Sequence, residues 1–279
     1  MPLEVALKPV ETLLFSSDAV ALGTFRCRAA HPLYANSGPC SHHTFVFPRS
    51  ASRIRHDGGP SFIGSPNSVS LYNQHQRYTR EAIDPIDASD WIVLSDDVLF
   101  EAIADFDPRV AERPLRPFVH ASTPIDAETY LAQRHLFDAI VRGEVDAFAA
   151  EESALRLFTR VLSAAYQPKR RKRAQHERVE AAKSILAAAP QRKISLLELA
   201  RAVELSPYHL CRLFRGSEGM SLTEYRHSLR LRLALGRLRD GAEDLSALAQ
   251  DLGYSSHSHF TAVFRRHFGI TPSQVRARF

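Results

Sequence analysis

LELARAVELSPYHLCRLFR, residues 197–215, and LSALAQDLGYSSHSHFTAVFR, residues 245–265, are two copies of one pattern. Leu199-Ala200 matches Leu248-Ala249, and Ser206 matches Ser255. Past a one-residue insertion, His209, Phe214, Arg215, Gly219 and Arg226 match His259, Phe264, Arg265, Gly269 and Arg276. Each copy reads as helix, short turn, helix. In the first, Ser195 and Glu198 form the S-x-x-E capping pattern, and the helix runs to about Val203. Ser206 then caps a second helix, with Pro207 at its first position, where a missing N–H costs nothing. In the second helices, Leu210, Leu213 and Phe214, or Phe260, Val263 and Phe264, share one face at helical spacing. They pack on Leu199, Ala200 and Val203, or on Leu248, Ala249 and Leu252.

If those faces point inward, the opposite ones are exposed. The first carries Tyr208, Cys211, Arg212 and Arg215. The second carries Ser258, Thr261, Ala262 and Arg265, with His257 and His259 near its N-terminal tip. Two helices joined by a tight turn, the second presenting a free face, make a helix-turn-helix arrangement. His257 and His259 point about 200° apart on an ideal helix. No carboxylate or cysteine joins them, so this HxH pair does not read as a metal site. Ser255 and Ser256 are expected to cap its helix. His259 either reaches a base or braces the turn. Between the copies, SLTEYRHSLRLRLALGRLRDG reads as one long helix. Ser221 and Glu224 box its start, Gly241 stops it, and Tyr225, Leu231, Leu235 and Leu238 line one face with arginines around them.

This segment resembles the DNA-binding domain of the AraC/XylS family of transcription regulators, over about residues 176–279. The resemblance rests on LARAVELSPYHLCRLFR, EYRHSLRLRLALGRL and LAQDLGYSSHSHFTAVFRRHFGITPSQVR. Gly253-Tyr254, Ser255-Ser256, Phe260, Phe264-Arg265, Gly269 and Pro272 stand where the family signature has them. It implies base contacts from Tyr208, Cys211 and Arg212 in the first copy, and from Ser258, His259, Thr261 and Ala262 in the second. Ala262 is small where the family often has a long polar side chain, which implies weaker readout there, limited to methyl contact. Arg212 is the leading candidate, because arginine bidentate to guanine is the commonest specific contact. Ser206, Arg215, Ser255, Ser256 and Arg265 suit phosphate.

The charge balance fits a polyanion partner. The net +5 of the 279 residues divides into −6 over residues 1–168 and +11 over residues 169–279. A basic half next to an acidic half indicates two domains with different partners. With 44% hydrophobic and 24% charged residues, the chain is an ordinary globular one. No apolar run reaches the roughly 18 residues that span a membrane, and the N-terminus lacks a signal-peptide pattern. Cys27, Cys40 and Cys211 form no CxxC pair, which fits a reducing cytoplasm rather than a zinc knuckle or disulfide framework.

The first ~120 residues read mainly as strands between Pro, Gly, Asn and Ser breaks, which points to a small barrel or sandwich. AVALGTFRCRA, HTFVFP and NSVSLYN alternate, and SDWIVLS is compact. DDVLFEAIADF is then a first helix, capped by Asp96 or Asp97. DAETYLAQRHLFDAIVRG, ending at Gly143, and EVDAFAAEESALRLFTRVLSAAYQ are amphipathic helices joined by about two residues. In the second, Phe148, Leu155, Phe158 and Leu162 form one stripe. QPKRRKRAQ, with the basic run Lys169 to Arg173, is either a solvated linker or a phosphate-touching arm.

In its place before such a reader, this half is similar to the family's sensor and dimerisation part, often a cupin-like β-barrel followed by a helix pair. HTFVFPRSASRIRHDGG and PNSVSLYNQHQRYTRE carry this weaker likeness. The metal-binding cupin pattern is missing, so His42, His43, His56 and His75 read as ordinary polar residues or as cavity lining. His42, Tyr72, Arg80 and Trp91 are the effector-binding candidates.

The expected architecture is α+β with two domains. A cupin-like sensor domain covers 1–125, a dimerising helix pair 126–168, a basic linker 169–175, and an all-α DNA-binding domain 176–279. The helix-turn-helix units lie at about 195–218 and 244–268, joined by the long helix. The expected partners are double-stranded DNA, a small-molecule effector, a second copy of the chain and RNA polymerase, with no cofactor, metal or membrane. A ligand-free dimerisation barrel is the alternative for the first domain. A metal-dependent enzyme or a DNA-repair methyltransferase would need ligand and cysteine sets that the sequence lacks.

Overall fold

The computed structural model describes residues 2–5, 10–35, 38–166, 173–192, 194–240 and 244–277. The chain divides into two compact units, Met1–Pro168 and Lys169–Phe279.

The N-terminal unit contains two antiparallel sheets. The larger has the order β1-β2-β8-β3-β6-β9: β1 Glu11–Ser16, β2 Val20–Arg28, β8 Ile86–Leu94, β3 Thr44–Pro48, β6 Ser68–Tyr72 and β9 Ser122–Pro124. The smaller has the order β5-β4-β7: β5 Ser61–Gly64, β4 Ser52–His56 and β7 Tyr78–Ala82. Among the described residues these are two open sheets, not a closed barrel.

Strand β8 is central, pairing with β2 on one edge and β3 on the other. Side chains alternate between the faces of a strand, so β8 serves two layers. Trp91 and Val93 join a cluster with Ala21, Phe25, Cys27 and Tyr34. Asp90 points to the opposite layer and accepts hydrogen bonds from Gln133 Nε2 (2.7 Å) and Arg134 Nη1 (2.8 Å), with Arg49 also paired to it. Gln133 and Arg134 belong to α3, Ala127–Val141, which with α4, Ala147–Ala165, forms the helix pair. Phe158 of α4 lies 4.9 Å from Phe45 of β3, ring to ring, so that layer also packs on the sheet.

Several local expectations change. β6 alternates in sequence, yet all five of its residues are buried, because both faces of the strand are covered. After a single short turn of helix, α1 Pro32–Ala35, helix α2, Asp96–Ala104, has Ser95 rather than Asp96 or Asp97 at its N-cap position, and no side chain caps it. The two aspartates occupy the first turn, where their charge suits the helix dipole. Helices α3 and α4 are separated by residues 142–146, five rather than two, because Asp146 caps α4 from outside by accepting the Ala149 N–H. Phe148 does not join the buried stripe. It is 76% exposed, while Phe158 and Leu162 are fully buried and Leu155 partly so.

The C-terminal unit is helical: α5 Arg173–Ala188, α6 Leu196–Ala202, α7 Pro207–Glu218, α8 Leu222–Arg239, α9 Leu245–Asp251, α10 His257–Phe268 and α11 Pro272–Arg276. Apart from Arg173, which opens α5, the basic run lies outside the described residues, as does Gly241. Capping boxes form at Ser195–Glu198 and Ser221–Glu224, and a further one at Thr271–Gln274 opens α11. Helix α8 buries Tyr225, Leu231, Leu235 and Leu238, but the arginines do not all stay outside. Arg230 and Arg232 are buried as well, because α8 is enclosed on more than one side.

Candidate nucleic-acid interface

The turns that aim α7 and α10 are built alike. After α6, the Leu205 N–H donates to Ala200 O (2.9 Å) and the Glu204 N–H to Arg201 O (3.1 Å). After α9, Tyr254 donates to Ala249 O (2.9 Å) and Gly253 to Gln250 O (2.8 Å). Both are Schellman motifs, which need one left-handed residue. Glu204 supplies it at φ 56° and Gly253 at φ 75°. Each second helix then starts on a serine. Ser206 Oγ accepts the His209 N–H, and Ser256 Oγ accepts the His259 N–H. The structural counterpart of Ser206 is therefore Ser256. Ser255 is the inserted residue and does not cap, because its hydroxyl instead contacts His259 Nδ1 at 3.1 Å. Both helices end at left-handed glycines, Gly219 and Gly269.

Burial separates the faces of both helices. Leu210, Phe214, Phe260 and Phe264 are fully enclosed, with Leu213 and Val263 half-buried beside them. On the free face of α7, Tyr208 is 77% exposed, and Cys211, Arg212 and Arg215 are exposed too. On α10, Ser258, His259, Ala262 and Arg265 are exposed and Thr261 half-buried. Ser206, Ser255 and Ser256 are exposed at the helix starts. These are positions from which side chains and free N–H groups can meet bases and phosphates.

The three histidines of the second copy go to three places. His257 Nε2 lies 3.4 Å from Thr261 Oγ1. His259 turns back to Ser255 and sets its ring edge-on to Tyr254 at 5.6 Å. His267 is half-buried against Phe268, and burial pushes its imidazole down to about 4. Among the described residues, no group of three or more His, Cys, Asp or Glu side chains could hold a metal ion.

A family model described as a helix-turn-helix domain matches residues 199–278. The regulatory protein SoxS of Salmonella typhimurium is 40% identical over 80 residues, which are 29% of this chain and 75% of SoxS. The chain belongs to the AraC/XylS family of transcription regulators. The transcriptional regulator GlxA of Rhizobium meliloti is 34% identical over 88 residues, but this chain spans only 27% of its length. A solved AraC-type transcriptional regulator from Chromobacterium violaceum is 29% identical, covering 38% of this chain and 96% of that one at a TM-score of 0.36. All three likenesses leave most of this AraC/XylS chain uncovered.

That uncovered N-terminal unit holds a cavity of about 350 Å³. His42, Tyr72, Arg80 and Trp91, singled out from sequence, all line it. The Arg80 guanidinium lies 4.2 Å over the Phe25 ring and 4.7 Å over the Tyr34 ring, with Nη1 3.2 Å from Asp87 Oδ2. Burial raises the Tyr72 and Tyr78 phenols, so both wall tyrosines stay neutral. Sequence reasoning missed Tyr78 and Phe25. The period-2 spacing of Tyr78 and Arg80 on β7 was the available signal. His43 and His56 do not line the cavity. His43 accepts the Gln74 N–H and packs edge-on to Phe100 and Phe118. His56 is buried among Phe62, Tyr72 and Tyr78. His75 is exposed, with a left-handed backbone at φ 59°.

Proposed function

We propose that the chain is a sequence-specific DNA-binding regulator that lays α7 and α10 in successive major grooves of its operator, under control of a small molecule held in the N-terminal cavity. The observation that carries the DNA reading is the pair of serine-capped helices, each fixed by its buried aromatic and aliphatic side chains and each free on the opposite face. In this reading Arg212 makes the principal base contact, with Tyr208 and Cys211 beside it. Ser258, Thr261 and Ala262 read less. His259 mainly braces the turn, since its Nδ1 is engaged by Ser255. Arg215, Arg265, Ser206, Ser255 and Ser256 hold phosphates and set the register.

The two open sheets around the cavity support a cupin-like sensor. The exposed Phe148 and Val141 on the helix pair suit contact with a second copy. Sequencing genomic fragments retained by the purified protein tests the whole. An enriched motif with two conserved blocks about one helical turn apart is expected. Retention of fragments without any common motif would overturn the reading. For the cavity, a metabolite that raises the unfolding temperature of the protein but not of an Arg80→Ala, Tyr72→Ala variant is expected. Equal stabilisation of both would move the effector elsewhere, and no stabilisation by any metabolite would favour a ligand-free dimerisation module.

A further inference from the structure

Arg230 lies in the middle of α8 and is only 5% exposed. Its guanidinium donates in three directions: Nε to Pro190 O at 2.6 Å, Nη2 to Gln191 O at 3.2 Å and Nη1 to Gly253 O at 3.3 Å. Pro190 and Gln191 follow the C-terminal end of α5 and lead to Ser195, the cap of α6. Gly253 is the left-handed residue that aims α10. One side chain therefore holds the entry to the first helix-turn-helix copy and the turn of the second.

Other contacts mark the same seam. A Cβ on Gly253 would lie 2.6 Å from Gln191 O, so the two backbones touch directly. Arg226 Nη1 reaches Ile194 O at 3.4 Å on the first-copy side. His227 Nδ1 lies 3.5 Å from Tyr254 OH on the second-copy side. Hydrogen bonds from a charged donor are stronger than neutral ones. A planar guanidinium spending three of them on carbonyls from two segments fixes an angle as well as a distance.

We infer that Arg230 is a positioning residue that locks the two recognition helices at one separation and angle, and so sets the spacing of operator half-elements that the protein accepts. This rests on the proposal that both helices read DNA. Without Arg230, α8 remains continuous, but the two copies can pivot about it. The protein then tolerates operators whose half-elements have moved.

The test uses the full chain and the duplex selected from genomic fragments, together with versions carrying one or two extra base pairs between the half-elements. Each added pair moves one half by about 3.4 Å and about 34°. With Arg230 intact, one added pair should weaken binding at least about tenfold, comparable to a lost base contact. In the Arg230→Gln chain the same insertion should cost less than about threefold, and Arg230→Lys should fall between them. Arg212→Ala, which removes a base contact only, should keep the full spacing penalty.

A second measurement needs no DNA. Nitroxides on Cys211 and on Ala262→Cys, with Cys27 and Cys40 replaced by alanine, report the separation of α7 and α10. The distance distribution should be narrow with Arg230 and broad in the Arg230→Gln chain. Equal spacing penalties in the two chains would overturn the inference. So would a broad distribution with Arg230 intact, even if the variant failed to fold. If the protein binds a duplex with one half-element as tightly as the whole, the two-helix reading fails instead, and the nitroxide distances still judge the lock.

Discussion

Exchanging the left-handed residues of the two turns should shift stability in opposite directions. Glu204 sits at φ 56°, where a residue with a Cβ costs roughly 1–2 kcal/mol. Glycine removes that cost but returns about 0.5–1 kcal/mol through its greater freedom in the unfolded chain. Among the described residues the ion pair lost is the one to Arg178, 4.0 Å away with Glu204 85% exposed, which is worth close to nothing. Glu204→Gly should therefore stabilise the C-terminal unit by about 0.5–1 kcal/mol. Gly253→Ala should do the reverse. It carries the same left-handed cost at φ 75° and sets a methyl 2.6 Å from Gln191 O, a backbone atom that can yield only if the seam opens. The expected loss is about 3 kcal/mol, the left-handed cost plus a typical overpacking cost.

Urea unfolding followed by two probes localises the effect. Trp91 is the single tryptophan and reports the N-terminal unit, while far-ultraviolet circular dichroism is dominated by the helices, most of which belong to the C-terminal unit. Both substitutions should move the helical midpoint, upward for Glu204→Gly and downward for Gly253→Ala, and leave the Trp91 transition in place. A lower helical midpoint in Glu204→Gly, or an unchanged one in Gly253→Ala, would refute the account of the turns.

Arg212→Ala should cost ~1–3 kcal/mol on the selected operator and relax preference at one base position, as read by competition with single-base variants. Unchanged preference would remove Arg212 from base reading. Arg265→Ala should weaken binding to every duplex alike and lower the slope of log affinity against log salt by about one. A full slope in that variant would rule out the phosphate contact. Burial pushes the His56 imidazole down to about 4, against about 6.5 in an unfolded chain. The unfolded chain then takes up a proton that the folded one refuses, so stability falls as pH drops from about 6.5 towards about 4, by about 3 kcal/mol at most. His56→Phe should make this fall shallower in unfolding followed by Trp91, and an equally steep fall would clear His56.

The C-terminal unit was legible because its signals are local. Ser195, Glu198, Pro207, Ser221 and Glu224 act within one helical turn of where they stand, and the burial stripes repeat at helical spacing. The sequence sets arginines around the apolar face of α8, but nothing local tells a solvated arginine from an enclosed one such as Arg230 or Arg232. That depends on which segments close over α8. Ser255 and Ser256 were indistinguishable for the same reason, since cap geometry decides between adjacent serines. In the N-terminal unit, SRIRH and YTREA are strands whose outward charges hide the pattern. Both covered faces of β6 and the exposure of Phe148 follow from neighbours remote in sequence. The cavity candidates met in one wall because Tyr72, Arg80 and Trp91 are polar or aromatic residues on strands that the topology brings together.

The free faces of α7 and α10 carry unequal vocabularies. At the positions proposed to meet bases, one presents an arginine, a tyrosine and a thiol, while the other presents small hydroxyls, a methyl and a histidine turned back to Ser255. Translated into a compilation of bound sites, that inequality becomes lopsided information content. One half of each site would be spelled strictly and the other loosely, so mutations drifting through a promoter would be purged from one block and tolerated in its neighbour.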